Sequence, residues 1–111
     1  TQQERSMNFK ELGANLGLEE DEYRELIDLF IRSGGTDLQN LAQAMAARDA
    51  DRVMRSAHTI KGASGNLGLT EVSAAAKTIE ERAMRNQLDD LTQALQALEN
   101  HFQVIRAFVG Q

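Results

Sequence analysis

The strongest constraint on this chain is an apolar repeat near its C-terminal end. Leu91, Leu95, Leu98, Phe102, Ile105 and Val109 follow one another at alternating steps of four and three, so a helix places all six on one stripe. Such a stripe is stable in water only when other helices cover it. The rest of the chain is suited to supply them: it has no proline and is dominated by Ala, Leu, Glu, Gln and Arg, the strong helix formers. Nowhere do β-branched and polar residues alternate over a strand-length run. The fold class is therefore all-α.

Reading forward, residues 1–7 are polar and are expected to form a frayed or linker N-terminus, with one helical bundle domain over residues 8–111. Asn8 is placed to cap a short helix through Leu12, ended near Gly13 or Gly17. A longer helix runs from about Glu19 to Arg32, acidic in its first turn, with Tyr23, Leu26, Ile27 and Phe30 as its core stripe. Ser33-Gly34-Gly35 is expected to break or kink it, with Thr36 capping a continuation that carries Leu38, Leu41, Ala42 and Met45; a single bent helix is the alternative. Asp49 opens the next helix, whose stripe is Val53, Ala57, Ile60, Ser64 and Leu67, and Gly68 stands where a C-terminal capping glycine belongs. Thr70 is expected to cap a helix burying Val72, Ala75, Ala76, Ile79 and Ala83, and the last helix is expected from about Asp89. Short connections force antiparallel neighbours. The predicted architecture is thus an up-down antiparallel four-helix bundle with a short N-terminal helix.

Charge and composition exclude several functional classes. A net charge of −5 argues against a nucleic-acid surface, which needs clustered Lys and Arg. No stretch approaches the roughly 20 apolar residues of a membrane span, so no membrane contact is expected from this segment. Without cysteine there is neither a disulfide nor a thiolate metal site, which suits a reducing, cytoplasmic setting. The first residue is Thr1 rather than Met, as in a piece of a longer protein.

One segment does not behave like core: Ala57-His58-Thr59-Ile60-Lys61-Gly62-Ala63-Ser64-Gly65-Asn66-Leu67-Gly68. His58 lies away from the apolar stripe of its helix and is expected to project into water, with Met54, Arg55, Lys61, Gly62 and Gly65 on the outward side. Glycine inside a helix costs about 1 kcal/mol relative to alanine. Two of them on an outward face point to a partner that approaches the imidazole closely. Neutral imidazole is a competent nucleophile for a phosphoryl group, and once phosphorylated it carries extra negative charge. Lys61, one turn on, is placed to offset that charge. No carboxylate cluster looks built for a divalent cation, so no resident cofactor is expected and Mg²⁺ would come with a partner.

These residues resemble the signature of histidine-containing phosphotransfer (HPt) domains: a histidine, a small residue, an aliphatic, Lys-Gly, a variable stretch, then an apolar residue and Gly. The resemblance extends from about Glu19 to the end of the chain. It implies that His58 is the phosphoacceptor through Nε2, that Lys61 stabilises the phosphoryl group and that Gly62 opens access to the imidazole. It further implies a phosphocarrier rather than an autonomous enzyme, passing phosphate to or from the aspartate of a receiver domain in two-component signalling. The receiver of a response regulator or hybrid histidine kinase would be the partner, met by a monomer. In the similar domain of chemotaxis-type kinases a glutamate on the next helix supports the histidine, and Glu80 matches that position.

Plainer readings stand beside these. His58 alone would be an ordinary surface histidine, and Glu80 a structural or surface carboxylate. His101, beside the core heptad, reads as structural or solvated, and two distant histidines make no zinc site. Ser64, on the apolar stripe, is expected to bond back to a backbone carbonyl rather than to act as a nucleophile. Glu19-Glu20-Asp21-Glu22 reads as a solvated first turn. Met54, Leu29 and Ile31 are candidates for an exposed docking patch. The alternative function is a non-catalytic helical adaptor or dimerisation domain.

Overall fold

Four helices in this protein stop in the same way, and that repetition sets its topology. The structure is a computed structural model describing residues 8–110, which form α1 (Phe9–Asn15), α2 (Glu20–Ala46), α3 (Ala50–Asn66), α4 (Thr70–Met84) and α5 (Thr92–Val109). The expected frayed segment at residues 1–7 lies outside the described residues. Just past the capping residue of α1, α2, α3 and α4 stand Gly17, Arg48, Gly68 and Asn86, all at positive φ between 55° and 76°. Each turn is closed by a bond from the next amide back to a carbonyl five residues earlier: Leu18 to Gly13, Asp49 to Ala44, Leu69 to Ser64 and Gln87 to Arg82. This motif satisfies the orphaned carbonyls of a helix end and reverses the chain within about one turn. Only residues 47–49 and 67–69 join α2 to α3 and α3 to α4, so these helices run antiparallel.

The helices then close a ring, α2 against α3, α3 against α4, α4 against α5 and α5 back against α2, with α1 laid on α2. This is the expected up-down antiparallel bundle with a short N-terminal helix. Tyr23, Ile27, Leu41, Val53, Ala57, Ile60, Ala76, Ile79, Leu98 and Phe102 are fully buried in its core. Among the described residues no helix is long and apolar enough to cross a membrane.

The structure corrects several expectations. Ser33-Gly34-Gly35 does not break the second helix: α2 is continuous over 27 residues, Thr36 is interior to it, and it spans almost the full 41 Å length of the molecule. The glycines serve packing across the bundle instead. A Cβ on Gly34 would lie 2.8 Å from Cε2 of Phe102, so α5 approaches α2 as closely as it does because position 34 has no side chain. The neighbouring helical residues keep their own hydrogen bonds, and the two glycines cost propensity without removing a rung. Thr70 is the first helical residue of α4 rather than its cap, which is Leu69, and α5 starts at Thr92, because Asp90 adopts positive φ and ends any helix begun at Asp89. Finally, Leu26 is exposed while Ile31 is buried, because the inward face of α2 runs Tyr23, Ile27, Phe30, Ile31 and Gly34. Ile31 is therefore core and not a docking residue; Leu29 is 59% exposed.

Tyr23 ties this core to the end of α3. Its ring is fully buried and its hydroxyl donates to the carbonyl of Leu67, the capping residue of α3. Burial pushes the phenol up to about 12. In the unfolded chain a tyrosine ionises near pH 10. The neutral phenol is thus favoured by folding, so this contribution is intact below about pH 10 and is lost as pH rises towards about 12. Tyr23 is the sole tyrosine, so its ionisation can be followed directly by tyrosinate absorbance. Tyr23→Phe is expected to cost about 1 kcal/mol at neutral pH through the lost hydrogen bond. In urea melts between pH 10 and 12, the variant should lose less stability than the parent.

Candidate phosphotransfer site

The inward face of α3 fixes where its histidine points. Val53, Ala57, Ile60 and Ser64 are fully buried, so residues half a turn away must face out, and the His58 side chain is 66% exposed. Asp49 sets the register by accepting from the amide of Arg52 at the start of the helix. Ser64, a hydroxyl on the apolar stripe, donates to the Ile60 carbonyl at 2.6 Å, the back-bond expected for it.

Glu80 lies across from His58 on α4. It occupies the core-facing edge of that helix, four residues after Ala76 and three before Ala83, and is one of two buried polar side chains among the described residues. Its two oxygens are divided: Oε2 is 2.6 Å from His58 Nδ1, and Oε1 accepts from Lys61 Nζ at 2.6 Å. Burial pushes the Glu80 carboxyl upward, but the hydrogen bonds from Lys61 and His58, with the charges behind them, outweigh it and hold the group below the ordinary carboxylate value. Glu80 is therefore an anion bridging an imidazole and an ammonium, rather than a surface carboxylate.

That bridge decides which ring nitrogen can react. An ionised carboxylate only accepts hydrogen bonds, so His58 Nδ1 must carry the proton. In the neutral ring the lone pair then sits on Nε2, on the side away from Glu80. The arrangement presents an oriented nucleophile to solvent, with a cation one helical turn away.

The other expected site residues are placed as follows. Gly62 is exposed, and a Cβ there would meet nothing within 4 Å among the described residues, so no packing among them requires its being glycine. Gly65 differs: a Cβ would lie 3.4 Å from Ser73 Oγ, so it has a neighbour on α4 as well as an exposed face. Met54 is partly buried and packs against the core cluster, at the bundle edge. Arg55 is exposed and pairs with Asp51 at 2.7 Å. His101, on α5, stands 3.7 Å from Glu71 in the first turn of α4, nine residues before Glu80. Periodicity alone did not flag Met84, which is 65% exposed one turn after Glu80 at the end of α4. Its spacing of four from Glu80 was the available signal.

Residues 25–108 match the family model described as Hpt domain. Among solved structures, histidine-containing phosphotransfer protein B (HptB) from Pseudomonas aeruginosa PAO1 is similar, with a TM-score of 0.80 and 31% sequence identity, over 90% of this chain and 87% of that one. Among curated proteins no match was found.

Proposed function

This chain belongs to the Hpt domain family and is a histidine phosphotransfer module of phosphorelay signalling, and on that premise we propose that His58 is its phosphoacceptor, with Glu80 and Lys61 as its working partners. The observation that carries the reading is the Glu80 bridge, which leaves Nε2 as the outward lone pair of an exposed imidazole.

The transfer follows from those contacts. Nε2 attacks the phosphorus of an aspartyl phosphate on a receiver domain, the N–P bond forms as the acyl O–P bond breaks, and the receiver carboxylate leaves with the electron pair. The ring becomes cationic as it takes the phosphoryl group, and the Glu80 carboxylate at Nδ1 stabilises that charge. Lys61, only 31% exposed and now shared with Glu80, lies one turn from the growing negative charge. The reverse reaction uses the same contacts. The divalent cation belongs to the receiver in this scheme, and the chain itself is a carrier rather than an enzyme.

Docking uses the outward face of α3, through Met54, Arg55, Lys61, Gly62 and Gly65, extended by Met84 on α4. Gly62 leaves room over the imidazole for a receiver loop. The complex is one receiver on one monomer, held briefly, since a relay must release its partner after transfer. A receiver partner in two-component signalling places this segment in the cytoplasm. The test is to mix the domain with phosphorylated receivers and look for a base-stable, acid-labile adduct. No adduct across a panel of receivers would leave the helical-adaptor reading in its place.

A further inference from the structure

Lys61 is held at both ends by the same helix. Its ammonium donates to Glu80 Oε1 at 2.6 Å, and its backbone carbonyl accepts from Ser73 Oγ at 3.2 Å. Ser73 and Glu80 are seven residues apart on α4, two turns along one face. The α3 segment they grip is the weakest stretch of that helix by sequence. It holds Gly62 and Gly65, and the Ser64 hydroxyl competes for backbone carbonyls by bonding to both Ile60 and Lys61, at 2.6 and 3.1 Å. Gly65 completes the arrangement: a Cβ at that position would stand 3.4 Å from Ser73 Oγ, so the hydroxyl reaches the α3 backbone over a residue without a side chain.

We propose that Ser73 is a positioning residue for phosphoryl transfer, its hydroxyl fixing the backbone of Lys61 so that the ammonium is presented beside His58. A glycine-containing turn without this bond has more freedom to shift, and a carrier that relies on placement loses rate when its cation moves. The proposal rests on His58 being the phosphoacceptor, and it adds a residue outside the His-Lys-Gly motif on which that reading depends.

Single-turnover transfer from a labelled phosphoreceiver, run over a range of receiver concentrations at a temperature where every variant is folded, tests it. Ser73→Ala should lower the maximal rate about three- to tenfold, the net worth of one hydrogen bond. The half-saturating receiver concentration should stay within about twofold, since the bond removed is internal to the domain, between the Ser73 hydroxyl and the α3 backbone. Ser73→Thr, which keeps the hydroxyl, should restore the rate, whereas the equal-shaped Ser73→Val should not. That pair carries the test if Ser73→Ala fails to fold. In a Lys61→Ala background, Ser73→Ala should cost nothing further. A wild-type rate for both Ser73→Ala and Ser73→Val, or an undiminished cost in the Lys61→Ala background, overturns the proposal. The outcomes separate it from the underlying reading: label on His58→Gln defeats that reading, while normal transfer by the Ser73 variants removes only the positioning role.

Discussion

Replacing His58 with glutamine is expected to abolish phosphoryl acceptance while leaving the fold intact. The side chain is 66% exposed and supplies nothing to the core, so its removal opens no cavity. Among the described residues its side chain hydrogen-bonds to Glu80, which keeps Lys61 as a partner when the imidazole is gone. Substitutions at exposed positions cost little stability, within about 0.5 kcal/mol. Glutamine has no nucleophilic nitrogen, so the loss of labelling should be complete rather than partial. The check is paired: thermal melts of the two proteins should coincide, while base-stable label from a phosphorylated receiver should appear only on the parent. Label of equal intensity on His58→Gln would place the acceptor elsewhere.

Glu80→Gln should give the second-largest effect, and of a different kind. The amide keeps the size of the carboxylate but cannot accept from Nδ1 and from Lys61 at once while carrying a charge that matches either. Nδ1 loses the partner that dictates its proton, so the ring samples the tautomer in which Nε2 carries hydrogen and cannot attack. Misorientation of this kind costs on the order of 10- to 100-fold in rate. Removing an ionised acceptor from a buried position also costs about 1.5–3 kcal/mol of stability. Both losses can be read on one sample, by single-turnover transfer and by urea denaturation. The pH dependence of stability should change with them. In the parent, the folded Glu80 carboxyl lies below its ordinary value, so its contribution is present above about pH 4.3 and fades as pH falls through the folded value. Glu80→Gln should lack that component of the acid limb. If it transfers at the parent's rate, Glu80 is a structural ion-pair partner and no more.

Much of this was legible in the sequence, for reasons that differ between elements. The core stripe of α3 and the outward position of His58 follow from helical periodicity alone, because a helix with Val53, Ala57 and Ile60 inward has only one place for residue 58. The break expected at Ser33-Gly34-Gly35 failed because glycine weakens a helix by an amount that tertiary packing readily exceeds, and here Phe102 occupies the space the missing side chain leaves. Leu26 and Ile31 exchanged places for a similar reason. Local spacing cannot tell which edge of an apolar stripe the neighbouring helices cover. Glu80 was the opposite case. A carboxylate looks like surface by residue type, yet its spacing from Ala76 and Ala83 put it on the buried edge of α4, and only the pairing of α3 with α4 shows why it is tolerated there. Ser73 carried no signal in its own sequence, since its partner is a backbone carbonyl twelve residues away.

The open space beside Gly62 puts two kinds of selection in opposition. Nothing among the described residues would touch a methyl group there, and alanine is the better helix former by about 1 kcal/mol. Judged on the isolated domain, Gly62→Ala is an improvement, and its melting temperature should rise by a few degrees. Judged by phosphate exchange with a receiver, it should be a loss, since the methyl would stand where the proposed docking brings a receiver's loop. A library of this domain sorted for thermal stability would therefore drift towards alanine at position 62 and become steadily worse at exchange. On the proposed docking, the glycine is explained by a partner, and its cost shows only in the isolated domain.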